Sequence, residues 1–322
     1  MAVCVIIAAW NAERTIARAI ASALAQTEVG EVIVVDDASS DATAAVAAAA
    51  DDGSGRLTVL RQDRNGGPSA ARNRALAHSR AEHVAVLDAD DYLLPGRFAA
   101  LLAIPGWDAI ADNIAFVTEE CDREGAPPPV EPGDYPARVL TLEALIAGSI
   151  SRREAPRGEL SFIKPVIRRA FLDAHGLRYD EALRLSEDFV LYAGMLAAGA
   201  RFLTVARCGY VAVERAGSLS GSHTAADLGA LLGAVDSWSA EASLGATDRA
   251  GLARYRAQLS ANYRHRRLLD DKRRLGLPRA LAGLLDEPQT VPGVALRVLR
   301  DKLAAPTPAA APAPAVRYLL PR

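Results

Sequence analysis

The sequence predicts an α/β fold with a mostly parallel sheet flanked by helices and a helical extension at the C-terminal end. Over the first hundred residues, short runs rich in β-branched residues alternate with segments whose apolar residues recur at helical spacing. Those runs are apolar throughout, as strands covered on both faces are. From about residue 225 onward the pattern is helical only, which predicts the extension.

The elements follow a regular order up to residue 98. The first strand is Val3–Ala8, and the next helix carries Ile16, Ile20 and Leu24 on one face, with Asn11 as a candidate N-cap. The remaining elements of this half are strands at 32–35, 57–60 and 84–87, an alanine-rich helix after 39–41, and a helix over 71–76. This order is typical of a nucleotide-binding half-domain.

Beyond residue 98 the pattern is less regular. It predicts strands at 110–117 and 202–205, helices at 142–147, 169–175 and from 186, and a long Pro/Gly-rich loop at 125–136. Segment 251–302 holds 12 Lys or Arg against 5 Asp or Glu, so it is basic while the rest of the chain is acidic. We predict one domain over 1–223 with halves 1–98 and 99–223, a basic helical extension over 224–303, and an extended Ala/Pro-rich tail over 304–322.

Composition excludes several classes of protein. Of the 322 residues, 50% are hydrophobic and 24% charged, and the net charge of −2 argues against a disordered chain or a polycationic nucleic-acid binder. Aromatic residues are only 5%, which leaves few platforms for stacking bases, so we expect no nucleic-acid partner. Cys4, Cys121 and Cys208 are far apart and fit a reducing cytoplasm. Since no run reaches the ~18 apolar residues of a membrane span, we expect at most peripheral membrane contact.

Three acids follow the fourth strand in the sequence Leu87-Asp88-Ala89-Asp90-Asp91. In extended chain, residues two apart point to the same side, so Asp88 and Asp90 are expected to aim together into the crevice beyond the strand. Their mutual repulsion favours a hard divalent cation, Mn²⁺ or Mg²⁺, shared with substrate phosphates. The alternative is an acidic loop that only caps the next helix.

Two further segments point to a nucleotide. Asp36 and Asp37 follow the second strand, where carboxylates can accept hydrogen bonds from a base or ribose; helix capping is the alternative. In the Asn65–Asn73 segment, glycines and a helix start precede Arg72, and free amides with a guanidinium suit a diphosphate. Neither a dinucleotide fingerprint nor a P-loop is present.

The segments Val5–Asn11, Val34–Ser39, Asn65–Asn73 and Leu87–Asp91 together resemble the family 2 inverting glycosyltransferases of the GT-A fold, and are similar to bacterial exopolysaccharide enzymes of the succinoglycan type. The resemblance continues through segments 164–172, 175–180 and 186–189, and so covers roughly residues 3 to 223. It implies a nucleotide-binding half over 1–98 and an acceptor half over 99–223.

The resemblance also implies roles for single residues. Asp37 is similar to the acid that contacts a uracil-type base, with the backbone of Ala8 and Ala9 beside it, and Arg72 to the base or diphosphate contact. Asp88 is similar to the first acid of the DxD motif, which contacts the ribose or a metal-bound water. The implied donor nucleotide site therefore consists of Ala8, Ala9, Asp37, Arg72, Asp88 and Ala89.

The same resemblance implies that Asp90 binds the metal, which leaves Asp91 to cap the next segment. It implies that Asp188 is the catalytic base, whereas the alternative places Asp188 in the first turn of a helix capped by Ser186. His223, in a Ser-rich loop, is a candidate additional metal ligand or an ordinary exposed histidine. The chain departs from the family's pattern at Trp10, for which core packing is the alternative.

The function that follows is transfer of a sugar from a nucleoside-diphosphate sugar to a hydroxyl of a glycan or lipid-linked acceptor, in cell-surface or extracellular polysaccharide assembly. The alternatives are a sugar nucleotidyltransferase and a non-catalytic nucleotide-binding or partner protein of this fold. The basic helices within 251–302 interleave arginines with leucines, which favours either contact with an anionic membrane at its inner face or a solvated helix face.

Overall fold

The computed structural model describes residues 2–123, 133, 135–150, 160–215, 224–241, 244–285, 295 and 316–321. The chain divides into two compact units, Met1–Ala216 with Ala315–Arg322, and Gly217–Pro314. The C-terminal segment, which the sequence assigned to a tail, thus belongs with the first unit, where Val316–Tyr318 forms a strand.

The strands of the first unit are β1 (Val3–Ala9), β2 (Val29–Asp36), β3 (Leu57–Arg61), β4 (His83–Val86), β5 (Tyr92–Leu93), β6 (Ala109–Thr118), β7 (Arg138–Val139), β8 (Val166–Arg168), β9 (Phe202–Glu214) and β10 (Val316–Tyr318). Its helices are α1 (Ile16–Leu24), α2 (Thr43–Ala49), α3 (Gly67–His78), α4 (Arg97–Leu102), α5 (Glu119–Arg123), α6 (Leu142–Ser149), α7 (Arg169–Ala174) and α8 (Glu187–Ala197). The second unit contains α9 (Ala225–Glu241), α10 (Ala246–Leu275) and α11 (Leu277–Leu285).

One mixed sheet runs through the described part of the first unit in the order β3-β2-β1-β4-β8-β6-β9-β5. The pairs β1–β2, β1–β4, β2–β3 and β6–β9 are parallel, whereas β8 is antiparallel to both β4 and β6. β7 pairs with β9, and β10 pairs with β6. Because the chain passes from β1 to β2 on one side and returns to β4 on the other, the strand order reverses at β1, where open α/β sheets bind ligands.

The core lies against the central strands. β1 is apolar on both faces, and Val3, Val5 and Ile7 are completely buried. On α1, Ile16 and Ile20 recur at four-residue spacing and belong to the same apolar cluster. The predicted α/β class, mostly parallel sheet and C-terminal helices are confirmed. Among the described residues no helix is both long and apolar enough to cross a membrane.

Candidate functional site

Three neighbouring strands end at one edge of the sheet beside residues predicted to bind the donor. β1 ends at Ala9, β2 ends at Asp36 directly before Asp37, and β4 ends two residues before Asp88. The Asp37 amide donates a 2.8 Å hydrogen bond to the carbonyl oxygen of Ala9, which joins two of these strand ends. Ala8, Ala9, Asp37 and Asp88 therefore lie where the strand order reverses.

Asp37 is buried and holds the turn that starts α3. Its Oδ1 accepts hydrogen bonds from the Gly66 amide at 2.7 Å and from Gln62 Nε2 at 2.5 Å, and its Oδ2 accepts the Gly67 amide at 2.8 Å. The glycine amides that were expected to be free for a diphosphate thus bind Asp37. Contact between Asp37 and a nucleobase stays a prediction, for which Oδ2 retains capacity for a second hydrogen bond.

Arg72 lies in α3 and gathers three carboxylates. Its Nη1 donates to Glu187 at 2.6 Å and to Asp188 at 3.1 Å, and its Nη2 donates to Asp88 at 3.0 Å. The guanidinium is buried. Although burial lowers the pKa of Arg72, the charges of Asp188 and Glu187 outweigh it and raise that pKa well above its usual value. The structure therefore brings the predicted donor contacts Arg72 and Asp88 together with the predicted base.

Lys164, to which the sequence assigned no role, completes the group. Its Nζ lies 2.9 Å from Asp88 Oδ2 and 2.8 Å from Asp188 Oδ2. Burial lowers the pKa of Lys164, but the charges of Asp188 and Asp88 outweigh it and raise that pKa. A lysine and proline directly before a short apolar strand could have signalled this position, because a lysine is rarely buried unless it is paired. We call Arg72, Asp88, Lys164, Glu187 and Asp188 the donor–base cluster.

The acids at either end of the loop after β4 have different surroundings. Burial raises the pKa of Asp88, but the two cations of the donor–base cluster outweigh burial and lower that pKa to about 2. The Oδ2 of Asp91 accepts the Tyr210 hydroxyl at 2.7 Å, and its Oδ1 accepts the Val213 amide at 3.0 Å. The expectation that Asp91 caps the next segment is therefore wrong. Asp91 instead fastens the acidic loop to β9.

Asp90 makes no ion pair or hydrogen bond with another side chain in the described part of the chain. It is half-buried, and its pKa is raised first by burial and then by Asp88, against the charge of Arg215. A cation would relieve this repulsion, so the surroundings of Asp90 fit a metal ligand. Within the described ranges no group of three or more His, Cys, Asp or Glu could hold an ion. His223 lies outside the described residues.

Asp188 lies in the first turn of α8, and capping by Ser186 does not account for it. Ser186 has a φ of +57°, and its side chain makes no capping hydrogen bond. A serine N-cap normally has extended backbone and accepts a hydrogen bond from an amide of the first turn. Both carboxylate oxygens of Asp188 instead bind cations, Oδ1 with Arg72 and Oδ2 with Lys164.

Trp10 and Asn11 follow β1. Trp10 is 50% exposed, so core packing is wrong for this residue. Asn11 does not cap α1, whose N-cap is Thr15. The side-chain Oδ1 of Asn11 accepts a hydrogen bond from the backbone amide of Ser40 at 2.9 Å, and the backbone amide of Asn11 donates to Ser39 Oγ at 2.9 Å. Asn11 therefore ties the loop after β1 to the loop after β2.

Comparison with known proteins relates this chain to one family. The family model described as Glycosyl transferase family 2 matches residues 4–121. The chain is 46% identical over 325 residues to the succinoglycan biosynthesis protein ExoU of Rhizobium meliloti, with coverage of 99% of this chain and 95% of that protein. Over 116 residues it is 32% identical to the UDP-Glc:alpha-D-GlcNAc-diphosphoundecaprenol beta-1,3-glucosyltransferase WfgD of Escherichia coli, covering 36% of this chain and 44% of WfgD.

Solved structures share the fold at low identity. Residues 1–349 of S. aureus TarS in complex with UDP-GlcNAc superpose with a TM-score of 0.59 at 22% identity, covering 83% of this chain and 73% of that one. The mannosyltransferase PcManGT of Pyrobaculum calidifontis, in complex with GDP-Man and Mn²⁺, gives a TM-score of 0.55 at 20% identity, covering 94% of this chain and 80% of that one. At this identity the two structures support the fold.

Proposed function

The chain belongs to glycosyl transferase family 2, and from that premise we propose that it transfers a sugar from a nucleoside-diphosphate sugar, with UDP as the nucleotide, to an acceptor hydroxyl with inversion at the anomeric carbon. The observation that carries this proposal is the donor–base cluster, in which Arg72 contacts both Asp88 and Asp188. It sets an expected donor contact beside the expected base. Family membership favours glycosyl transfer over the nucleotidyltransferase and non-catalytic alternatives.

In the proposed reaction Asp188 is the general base. Its carboxylate takes the proton of the acceptor hydroxyl as that oxygen attacks the anomeric carbon. The bond from this carbon to the β-phosphate oxygen breaks, and its electron pair leaves with the nucleoside diphosphate. A single displacement inverts the configuration and requires no enzyme nucleophile. Arg72 offsets the charge that develops on the leaving diphosphate.

The donor nucleotide lies along the carboxyl ends of β1, β2 and β4 in this proposal. The backbone of Ala8 and Ala9 and the carboxylate of Asp37 contact the base, while Asp88 and Ala89 contact the ribose. The position of these residues at the reversal of strand order supports the assignment. TarS, which shares the fold, is described in complex with UDP-GlcNAc.

A divalent cation, Mn²⁺ or Mg²⁺, belongs beside Asp90 in this proposal, with His223 as a further candidate ligand. The raised pKa of Asp90, caused first by burial and then by Asp88, supports a cation there. Such an ion is commonly bound by one or two carboxylates together with substrate phosphates. When bound, it supplies Lewis-acid stabilisation of the diphosphate oxygens. PcManGT, of the same fold, is described with Mn²⁺.

The acceptor is a glycan or a lipid-linked sugar in cell-surface or extracellular polysaccharide assembly. ExoU is named for succinoglycan biosynthesis, and the name of WfgD specifies a diphosphoundecaprenol-linked acceptor. A lipid-linked acceptor would be reached by a cytoplasmic enzyme in peripheral contact with the inner face of the cytoplasmic membrane. The second unit offers a surface for that contact.

That surface is the corner between α10 and α11, at residues 272–279. Leu275 and Leu277 are 42% and 49% exposed. Four exposed cations lie in the same segment, Lys272, Arg273, Arg274 and Arg279, and of these Arg274 pairs with the neighbouring Asp271 at 3.2 Å. Exposed leucines flanked by cations suit the headgroup region of an anionic bilayer, where each cation near the surface contributes ~1 kcal/mol.

Vesicle sedimentation tests this contact with the full chain. We expect binding to vesicles containing phosphatidylglycerol, little binding to pure phosphatidylcholine, and a marked loss when Leu275→Gln and Leu277→Gln are combined. Arg273→Gln should weaken binding more than Arg254→Gln, a matched change at an exposed cation elsewhere on α10. Equal binding to both lipids would contradict the proposed contact.

Calorimetric titration of UDP, with and without Mn²⁺, tests the donor site. Metal-dependent binding that Asp90→Ala removes would support the nucleotide-sugar site and justify a screen of donor sugars. Asp188→Asn should then bind UDP at least as tightly as the unmodified chain and lose turnover. If UDP, GDP and dTDP all fail to bind under every metal condition, the proposed donor site is wrong.

A further inference from the structure

Lys164 lies within the donor–base cluster but has no role in the proposed reaction. Its ammonium bridges Asp88 and Asp188, so it joins the expected donor side of the site to the expected base. Only 6% of the side chain is exposed. The Lys164 carbonyl accepts a hydrogen bond from Arg97, which forms a buried ion pair with Asp112. The buried Arg97–Asp112 pair therefore holds the backbone of Lys164 in place.

The donor–base cluster carries more negative than positive charge, although a nucleoside-diphosphate donor is itself negatively charged. The donor–base cluster contains three carboxylates and two cations, and both cations are already paired with carboxylates. An entering diphosphate brings further negative charge into the same space. Lysine suits an exchange of partners, because its ammonium is a compact charge on a flexible stem with three rotatable donors.

We propose that Lys164 is a cation shared between the donor and the base. In the free enzyme its ammonium holds Asp188; when a nucleoside diphosphate enters, the ammonium transfers its hydrogen bond from Asp188 Oδ2 to a phosphate oxygen. Asp188 Oδ2 is thereby released to accept the proton of the acceptor hydroxyl. This inference rests on the proposed function and adds to it a coupling between donor binding and release of the base.

In this exchange, donor binding precedes release of the base, and no chemical step is added. Lys164 keeps its proton throughout: the acceptor proton goes to Asp188, and the electron pair of the broken bond goes to the diphosphate. Before donor entry, the ammonium occupies the base oxygen, which protects the site from unproductive proton transfer. Because coupling between two binding events is reciprocal, whatever removes the Asp188 charge should favour the diphosphate.

A double-mutant cycle on UDP affinity tests this coupling in the full chain with Mn²⁺ present. Asp188→Asn should tighten UDP binding, by about tenfold for groups in direct contact, because Lys164 no longer has to leave a carboxylate. In the Lys164→Met background the same change should have a clearly smaller effect. Simple removal of a nearby negative charge would give the same gain in both backgrounds.

Glu187→Gln is the matched control. Glu187 contacts Arg72 at 2.6 Å in the same cluster, but no contact joins it to Lys164. Its effect on UDP affinity should therefore be the same in both backgrounds. Lys164→Gln replaces Lys164→Met if the latter does not fold, and thermal unfolding checks each variant.

The outcomes separate this inference from the proposed function. If Asp188→Asn leaves UDP affinity unchanged, or changes it equally with and without Lys164, the shared cation is wrong while the donor site stands. If the unmodified chain binds none of UDP, GDP and dTDP, the proposed donor site itself fails.

Discussion

Arg97 and Asp112 form a completely buried ion pair that lies next to Lys164 of the donor–base cluster. Arg97 Nε and Nη2 lie 2.9 Å and 2.8 Å from Asp112 Oδ1, and the two residues are 0% and 1% exposed. Nη2 also donates to the carbonyl oxygen of Lys164. A buried charge is tolerated when a group of opposite charge pairs with it. The stability of the protein should therefore fall sharply when either Arg97 or Asp112 is replaced.

Asp112→Asn should therefore destabilise the protein strongly. It leaves the Arg97 charge buried without a carboxylate, and breaking a buried pair from one side typically costs about 3–5 kcal/mol. Urea unfolding measures the change. Asp173→Asn is the control, since Asp173 and Arg178 form a pair in which both side chains are 46% exposed; its loss should cost less than ~1 kcal/mol. If the two changes lowered the free energy of unfolding equally, burial would not explain the effect of Asp112→Asn.

Gly209→Ala tests the packing around this pair from the side of β9. A Cβ at Gly209 would overlap Asp112 Oδ2 and approach the side chain of Arg97 to 2.7 Å. Because neither can move without weakening the ion pair, we expect a loss of several kcal/mol in the free energy of unfolding, roughly the upper range for overpacking. Gly233→Ala is the matched control: among the described residues, apart from its neighbours and the backbone of its own helix, no atom lies within 4 Å of the added Cβ, and alanine favours helix, so stability should stay the same or rise.

His83 predicts a pH dependence of stability. It is 1% exposed on β4, and its ring centroid lies 5.2 Å from that of Trp107. Burial lowers the pKa of His83 below its usual 6.5, and the Arg168 charge lowers it further, against the opposing effect of Glu82. The folded state therefore binds a proton at His83 less readily than the unfolded chain, in which the ring takes up a proton near pH 6.5. The stability that His83 contributes is present above pH 6.5 and is lost as the pH falls below it.

The measurement compares urea unfolding of the unmodified chain and His83→Gln between pH 8 and pH 5. Groups other than His83 titrate in both proteins, so their contributions cancel in the difference. The unmodified chain should lose more stability than the variant as the pH falls through 6.5. A steeper loss in the variant would mean that the folded protein stabilises the protonated ring.

The sequence could predict the strand ends of the site but not the contacts made between distant segments. Continuous apolar runs located β1, β2 and β4, and hence the positions of Ala9, Asp37 and Asp88, because buried parallel strands have this pattern. The meeting of Lys164 with Asp88 requires β8 to pair antiparallel with β4, and three residues show no periodicity that would predict such a pairing.

Local capping rules also failed where a polar side chain had a stronger distant partner. Asn11 precedes a helix and is therefore a candidate N-cap, and the assignment of Asp88 and Asp90 to the DxD motif leaves Asp91 as a cap of the next segment. In the structure Asn11 binds the loop after β2, and Asp91 binds β9. In each case the partner is brought close by sheet topology, which local sequence does not encode.

Trp10 offers an optical test of the donor site. Its indole is 50% exposed directly after Ala9, whose backbone is proposed to contact the nucleobase. An exposed indole beside that position should stack on or closely approach the base, since base–aromatic stacking contributes about 1–3 kcal/mol. UDP should therefore quench tryptophan fluorescence saturably, with the same dissociation constant that calorimetry gives.

Trp10→Phe distinguishes this contact from a general change in the protein. The sequence has three tryptophans, and Trp107 is 4% exposed in the core. If Trp10 is the reporter, the variant should lose the UDP-dependent quench and bind UDP within a few-fold of the unmodified chain, because phenylalanine keeps an aromatic face. A quench that persists in Trp10→Phe would mean that UDP acts on another tryptophan, and the base would then have to lie away from the end of β1.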